Sequence, residues 1–280
     1  MIFGAILSRS CLPIKGNHQL RGAASGGGWV PGTKFMDIAI AASPTHHIFG
    51  ATYINMHMFG YRPESDSLYD MGKVSKWGGQ VDSMSRGRDG RIYMGAYVMA
   101  HVDIYDPSKP WNPGEDPGAN PRCLGPIGAG QYRTKCNTLG PDGMIYVGSV
   151  PAYRSAPTGA FSRVDPKSRD ATVWTDLVEG GTVYKCDSDD RYVYAAGADE
   201  FFVWDPQKEQ KACSLDISAS ALVCGPAGRV VGTADGTIFE FDPAAMEVAR
   251  TADSPTGNFT DMTLAPDGLL YGINDESIVQ

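Results

Sequence analysis

The sequence LGPDGMIYVGS, from Leu139 to Ser149, places a Pro-Asp-Gly turn directly before a run of β-branched and aromatic residues that ends in glycine. Such a turn suits a tight hairpin, because its glycine can adopt the positive φ that the turn requires. Ile145, Tyr146 and Val147 then have the side chains that favour a strand. The stretch therefore predicts the junction between two antiparallel strands.

Similar strand-forming runs recur along the chain at spacings of 37 to 53 residues. They begin at Ile2, Ile48, Ile92, Ile145, Val193, Val230 and Leu270. Most units also contain a second run that ends in proline, as in Ile104 to Pro107 and Val203 to Pro206. Because proline ends a strand at such a turn, each unit reads as four short antiparallel strands. A repeat of this length and composition is typical of a β-propeller blade.

These repeats predict an all-β fold, a β-propeller of four-stranded antiparallel blades that forms a single domain over residues 1–280. The number of strand-forming runs indicates six to seven blades, and seven is favoured. The first run has no strand before it and the chain stops soon after the last. We therefore expect incomplete first and last blades and a chain truncated at one or both ends. The alternative is a six-bladed closure in which Ile2 to Leu7 supply another strand.

Charge and cysteine content argue against several classes of function. Lys and Arg total 24 against 32 acidic residues, a net charge of −8, which disfavours a nucleic-acid partner. No apolar run approaches the length of a membrane-spanning helix, so no membrane association is expected. The six cysteines have neither zinc-finger spacing nor a disulfide pattern, so the sequence predicts no metal site.

The remaining general expectations concern cofactors, assembly and location. No cofactor is predicted, although a structural cation in the central channel is compatible with the fold. The protein is expected to be a monomer. Its localisation is left open by the sequence, and a secreted or periplasmic location is expected if the full-length protein has a signal peptide that this chain lacks.

Enlarged loops and polar side chains concentrate in the middle of the chain. In an antiparallel four-stranded blade, the loop after the second strand and the connection to the next blade emerge on the same face. This face is predicted to collect His57, Trp77, Gln80, His101, Gln131, Tyr132, Arg133, Tyr153 and Arg154. His57 and His101 are equivalent, because each lies four residues beyond a tyrosine. A single histidine in a strand commonly packs, whereas the repeat beside enlarged loops makes a site and a packing role equally compatible with the sequence.

Imidazole, phenol, amide and guanidinium groups around one pocket suit an acidic sugar. Arg133 would neutralise a uronate carboxylate, His57 would act as the base, and Tyr153 would protonate the leaving oxygen. The predicted substrate-binding residues are His101, Gln80, Gln131, Arg154 and Lys135. Strand alternation separates Tyr132 from Arg133, so Tyr132 is expected to pack between blades. Motifs of serine hydrolases, zinc proteases and NTPases are absent from the sequence.

The run from Val102 to Ser149, with YDPSKPWNPG, NPRCLG, GQYR and GPDGMIYVGS, and TYINMHMF before it, resembles a family of seven-bladed propellers. This family includes rhamnosyl-glucuronate lyases and α-L-rhamnosidases. The resemblance covers blades two to four and implies a site histidine at the position of His57. It implies a carbohydrate-active propeller that acts on or binds a uronate-containing glycan, as a polysaccharide lyase or a glycoside hydrolase. The partner would be an acidic oligosaccharide or polysaccharide.

Other propeller functions remain open, and so does the question of whether the protein is an enzyme. The alternative from another class is a non-catalytic interaction or ligand-binding propeller, which predicts no ordered polar pocket. A sugar-acid lactonase or an antibiotic lyase would need metal-binding carboxylates or a His/Glu cluster near the axis. The first strands offer scattered Asp37, Asp82, Asp187 and Asp261. The WD40 type is disfavoured, because a Trp-Asp ending occurs at Trp204-Asp205 without a Gly-His partner.

Overall fold

A computed structural model of the chain consists almost entirely of strands and turns. It describes residues 11–13, 40–42, 47–51, 56–153, 156, 158–225, 228–265, 268–274 and 277–280. Within these ranges the chain forms 24 strands, and Pro63–Ser65 forms a short 3₁₀ helix. None of the helical structure in this part of the chain has the length and apolar character needed to cross a membrane. The predicted all-β class is confirmed.

The described strands form six four-stranded antiparallel sheets, which we call blades one to six in chain order. The first strand, β1 (Cys11–Pro13), pairs with the last strand and belongs to blade six. Six blades fall within the predicted range of six to seven and are one fewer than the favoured count. The additional predicted strand, which begins at Ile2, lies outside the described residues.

One compact unit of the chain contains blades one to three. Blade one is β2 (Ile40–Ala42), β3 (Ile48–Ala51), β4 (His57–Arg62) and β5 (Ser67–Lys73). Blade two is β6 (Gln80–Arg86), β7 (Ile92–Tyr97), β8 (His101–Tyr105) and β9 (Arg122–Pro126). Blade three is β10 (Gln131–Leu139), β11 (Ile145–Pro151), β12 (Ala160–Val164) and β13 (Ala171–Trp174). In each of these blades the strands lie side by side in chain order.

The other compact unit contains blades four to six and β1. Blade four is β14 (Lys185–Ser188), β15 (Val193–Ala196), β16 (Phe201–Asp205) and β17 (Gln210–Leu215). Blade five is β18 (Ala221–Cys224), β19 (Val230–Ala234), β20 (Thr237–Asp242) and β21 (Glu247–Asp253). Blade six contains β22 (Asp261–Leu264), β23 (Leu270–Ile273) and β24 (Ser277–Val279), with β1 as its fourth strand.

The end blades differ from the sequence-based expectation. β1 pairs antiparallel with β24, with Cys11 opposite Val279, so blade six has four strands. Blade one also has four strands, and the expectation of incomplete end blades is therefore corrected. The pairing gives the edge of β24 a backbone partner, which is the usual reason for joining strands from distant parts of a chain. The single domain over residues 1–280 stays a prediction.

Aspartate carboxylates close the turns between the first and second strands. Asp89 accepts hydrogen bonds from the Arg91 backbone N–H at 3.1 Å and from the Tyr93 hydroxyl at 2.7 Å. Asp189 likewise accepts a hydrogen bond from the Tyr194 hydroxyl at 2.5 Å in blade four. Burial, and then the hydrogen bond to the carboxylate, raises the pKa of both tyrosines. Local turn chemistry thus ties each turn to the strand that follows it.

A second set of aspartates closes the turns after the third strands, where the sequence reads Asp-Pro. The carboxylates of Asp106, Asp165, Asp205 and Asp242 accept hydrogen bonds from the backbone N–H two residues later, at distances of 2.7 to 3.0 Å. This arrangement is an Asx turn, in which the side chain replaces a backbone acceptor. The backbone N–H of Lys167 lowers the pKa of Asp165 in this way.

Glycines in the second strands occupy positions with no space for a side chain. A Cβ atom at Gly148 would overlap the carbonyl oxygen of Val183, and one at Gly95 would lie 2.6 Å from Thr134 Oγ1. Cβ atoms at Gly50, Gly232 and Gly272 would instead overlap or crowd the rings of Phe59, Phe239 and Phe259. At these five positions close packing therefore requires the glycine that ends the strand motif.

We expect Gly148→Ala to lower the free energy of unfolding by about 1–3 kcal/mol, the usual cost of adding a methyl group to a packed interior. The added Cβ meets backbone of Val183, which cannot rotate away as a side chain could. Urea unfolding followed by circular dichroism measures the change. Gly118→Ala is the matched control, because a Cβ there has no atom within 4 Å. Equal stability of the two variants would contradict this packing role.

The Asp165 turn predicts a specific dependence of stability on pH. Its pKa is lowered in the folded protein, so its contribution is complete above the unfolded-state value of about 4 and is lost as the pH falls through the lower folded-state value. Asp165→Asn keeps an acceptor oxygen but removes the charge. Urea unfolding between pH 7 and pH 2 should show a stability difference between parent and variant at neutral pH that vanishes in acid. A difference independent of pH would contradict the assignment.

Candidate functional site

The first strands of blades two and three, β6 and β10, carry several of the predicted site residues. Neither strand is regular: β6 has a register shift at Asp82, and β10 has shifts at Tyr132 and Lys135. An extra residue of this kind breaks strict alternation and redirects the side chains beside it. The separation of Tyr132 from Arg133 was expected for a regular strand, and β10 is not regular at that point.

An ion pair between Arg133 and Asp82 lies at the centre of this region. Arg133 Nη1 is 3.0 Å from Asp82 Oδ1, and Gln80 Nε2 donates to the same oxygen at 2.6 Å. The Asp82 side chain is 5% exposed, whereas 34% of the Arg133 side chain remains exposed. Burial raises the pKa of Asp82, although hydrogen bonds from Gln80 and the charge of Arg133 act in the opposite direction. The arrangement holds a guanidinium group in a fixed position at a partly open surface.

Two tyrosines complete this cluster. The guanidinium carbon of Arg133 lies 4.3 Å from the centre of the Tyr97 ring, a distance typical of a cation–π contact. The Tyr97 and Tyr132 rings meet edge to face, with centroids 4.9 Å apart. The hydrogen bond with Tyr97 raises the pKa of Tyr132. We call Gln80, Asp82, Tyr97, Tyr132 and Arg133 the arginine cluster.

Two other predicted binding residues lie on β10 close to this cluster. Lys135 is exposed, and its positive charge acts on the pKa of Asp82. Gln131 is buried: its Nε2 donates to the Thr158 carbonyl oxygen at 3.1 Å, and its Oε1 accepts from the Ser149 hydroxyl at 2.9 Å. Lys135 is thus available at the surface, while the amide of Gln131 holds the β10–β11 hairpin to the following loop.

His57, the predicted base, contacts a carboxylate in blade one. Its Nδ1 lies 3.0 and 3.1 Å from the two oxygens of Asp70, and 23% of its side chain is exposed. The side chain of Tyr153 is 88% exposed. Arg154 lies outside the described residues. The structure therefore brings Gln80 and Arg133 together on one oxygen of Asp82, and a shared role for His57 and Tyr153 with them stays a prediction.

His101 is wholly buried, unlike its sequence equivalent His57. Its Nδ1 lies 2.9 Å from the carbonyl oxygen of Val98, and its Nε2 lies 3.2 Å from Asp103 Oδ2. Burial lowers the pKa of His101, but the charge of Asp103, the hydrogen bond to Asp103 and the hydrogen bond to the Val98 carbonyl together outweigh burial and raise the pKa. A surface ligand cannot contact a side chain with no exposed area, so this placement does not support the predicted binding role.

A cavity of about 530 Å³ lies in the same compact unit. Its described lining is Lys73, Ser75, Lys76, Pro113, Gly114, Glu115 and Cys123. Two of these lining residues, Lys76 and Glu115, form an ion pair of 2.6 Å. This volume is within the range of small-molecule sites. The sequence identified an enlarged loop here but did not identify the cavity, because a cavity depends on how the loop folds back.

Asp82, Tyr97, Asp103 and Cys123 were not among the predicted site residues. Asp82 could have been found from the equivalence of Gln80 and Gln131, since it follows Gln80 by two residues, as Arg133 follows Gln131. Asp103 follows His101 by two residues and shares its side of the strand. No local signal connects Cys123 to them.

Comparisons with known proteins address the fold. No protein-family model matches the sequence. No curated protein matches it either. Among solved structures, the WD40 β-propeller domain of Doa1 superposes with a TM-score of 0.65 at 10% identity, over 90% of this chain and 80% of that one. The computationally designed Ika8 protein gives 0.60 at 16% identity, over 90% and 72%.

A catalytically inactive variant of virginiamycin B lyase from Staphylococcus aureus, in complex with quinupristin, is also similar. Its TM-score is 0.61 at 10% identity, over 84% of this chain and 76% of that one. At such low identities the likeness identifies the fold alone. The chain is therefore a β-propeller, and its function has to be argued from its own side chains.

Proposed function

We propose that this propeller binds a carboxylate-bearing ligand at the arginine cluster, and that the ligand is a uronate-containing glycan. The observation that carries the proposal is the placement of Arg133. Its guanidinium is held by Asp82 at 3.0 Å and lies over Tyr97 at 4.3 Å, yet 34% of its side chain is exposed. A fixed and partly exposed cation is the usual means of binding a carboxylate.

The hydrogen-bonding capacity of Arg133 supports the proposed binding of a carboxylate. Its Nη1 donates to Asp82, whereas Nη2 and Nε have no acceptor within the part of the chain that the structure describes. A guanidinium group offers five N–H donors in a planar arrangement that matches a carboxylate. Lys135, which is exposed on the same strand, adds a second positive charge. The two cations outnumber the single carboxylate of Asp82, so the cluster favours an anion.

The tyrosines favour a sugar as the carrier of that carboxylate. Tyr97 and Tyr132 provide ring surface together with hydroxyl groups, and a hydroxyl both donates and accepts hydrogen bonds. Sugar hydroxyls need partners of this kind. The family resemblance of the region from Val102 to Ser149 points to glucuronate, which combines a sugar ring with a carboxylate.

On this proposal, cleavage of the glycan is an elimination. The base removes the proton at C5 of the uronate, the C4–O bond breaks with its electron pair moving to the leaving oxygen, and a C4–C5 double bond forms. Arg133 neutralises the carboxylate, on which negative charge develops in this step. Tyr153 gives its phenolic proton to the leaving oxygen and later recovers one from solvent.

His57 is the proposed base. Its Nδ1 faces the carboxylate of Asp70, which accepts hydrogen bonds only, so Nδ1 carries the proton and Nε2 is the basic nitrogen. A neighbouring carboxylate that fixes the tautomer in this way is a common device for a catalytic histidine.

Binding is tested by isothermal titration calorimetry with a glucuronate-containing oligosaccharide and with a neutral oligosaccharide of the same length. We expect the acidic glycan to bind and Arg133→Ala to weaken it by about 10- to 100-fold, the cost of losing charged hydrogen bonds. Arg191→Ala is the matched control, since Arg191 also lies over a tyrosine, with its guanidinium carbon 4.7 Å from the Tyr192 ring. Equal binding of both glycans, or full affinity in Arg133→Ala, would favour the non-catalytic interaction propeller.

Turnover is tested separately by following the absorbance of an unsaturated uronate during incubation with glucuronate-containing polysaccharides. His57→Ala should lower turnover by about 100-fold or more, because a general base is lost, while leaving the affinity for the acidic oligosaccharide unchanged. Retention of full turnover in this variant would exclude His57 as the base. Binding without any turnover in the parent protein would restrict the proposal to glycan recognition.

A further inference from the structure

A histidine, an aspartate and a cysteine converge inside blade two. His101 and Asp103 are two residues apart on β8, so their side chains leave the same face of the strand. Cys123 lies directly opposite Asp103 on β9. All three residues are buried, and the potential ligand atoms, one from each residue, lie within 4.8 Å of one another.

Asp103 lacks the hydrogen bonds that a buried carboxylate needs. Its side chain has no exposed area, and neither oxygen accepts a hydrogen bond of normal geometry from the described residues. Its charged contact is His101 Nε2, at 3.2 Å from Oδ2. Removing a carboxylate from water costs several kcal/mol unless charge and hydrogen bonds compensate it. Apart from the His101 ring and the Cys123 thiol, the described residues supply neither positive charge nor a hydrogen-bond donor to Asp103.

The tautomer of His101 explains why its neutral ring does not supply a hydrogen-bond donor to Asp103. Nδ1 lies 2.9 Å from the Val98 carbonyl oxygen, which can only accept, so Nδ1 carries a proton. In the neutral ring, Nε2 then directs a lone pair towards the Asp103 carboxylate. A cation bound by both groups removes the repulsion. Histidines that bind metals usually donate their other N–H to a carbonyl or carboxylate, as His101 does to Val98.

We propose that His101, Asp103 and Cys123 form a binding site for Zn²⁺, with a fourth coordination position directed towards the cavity that Cys123 lines. Nitrogen, oxygen and sulfur together make the donor set that zinc accepts. Zinc bonds of about 2.0–2.3 Å place tetrahedral ligands roughly 3.3–3.8 Å apart, so the present spacing closes with a shift of about 1 Å. Three protein ligands with an open fourth position is the arrangement of catalytic rather than structural zinc sites.

Charge balance also favours zinc at this site. The two positive charges of Zn²⁺ are matched by the Asp103 carboxylate and a Cys123 thiolate, which leaves the buried site neutral. The thiol proton is released when the metal binds. The fourth position receives water or an anionic group from the cavity, where Lys73 contributes positive charge and Lys76 is paired with Glu115. Ser75 lies between these lysines in sequence, and its hydroxyl is 3.5 Å from His101 Nε2.

The experiment uses the full chain, freed of metal with a chelator and then titrated with Zn²⁺ against a chromophoric competitor. We expect one Zn²⁺ per chain, with Cys123→Ser weakening the affinity at least tenfold. Cys136→Ser is the matched control, because Cys136 is also a buried free thiol, and its Sγ contacts the Val183 carbonyl oxygen at 3.8 Å. Equal zinc affinity of the two variants would overturn the proposal.

A second measurement identifies the ligands directly. Co²⁺ in place of Zn²⁺ should give the absorption of a four-coordinate ion together with a thiolate-to-metal charge-transfer band, and Cys123→Ser should remove that band. The melting temperature of each metal-free variant verifies that it is folded. Absence of the charge-transfer band in the folded parent would overturn the site. In that case a charged His101 paired with Asp103 would account for the buried carboxylate.

Discussion

The close approach of blades two and three at Gly95, in the second strand of blade two, is the constraint on which the arginine cluster depends. Gly95 leaves room for Thr134 of the next blade, whose hydroxyl accepts a hydrogen bond from Ser83 at 3.2 Å. A side chain at Gly95 would push the two first strands apart. Because these same strands carry Asp82 and Arg133, the ion pair between them depends on the absence of a single methyl group.

Irregular pairing of the first strands then decides which side chains meet in this packed region. A regular first strand would send Tyr132 and Arg133 to opposite sides. The register shift in β10 allows both residues to contact Tyr97, one by its ring edge and the other by its guanidinium group. The shift in β6 falls at Asp82, the residue that holds Arg133. Bulges of this kind are common beside functional sites because they direct side chains that alternation would separate.

The two polar clusters of blades two and three differ in how their charges are compensated. At the arginine cluster, the Asp82 carboxylate and the surrounding solvent together compensate the charge of the Arg133 guanidinium. Arg133 can therefore bind an additional anionic partner without a large change in its solvation. Around Asp103, solvent is excluded and the protein must supply all of the compensation. The first environment suits reversible recognition of a ligand, and the second suits a tightly held ion.

The sequence by itself determined the features that depend on local backbone chemistry. Turns at Asp-Gly and Asp-Pro and the strands they separate could be predicted, because neighbouring residues decide them. The tertiary structure decided which strands and side chains meet. His57 and His101 are equivalent in sequence, but one is partly exposed and the other wholly buried. Cys123 reaches Asp103 across a long insertion, and β1, from the other end of the chain, supplies the fourth strand of blade six. Periodicity identifies the side of a strand on which a residue lies, whereas its neighbours depend on register and packing between distant segments.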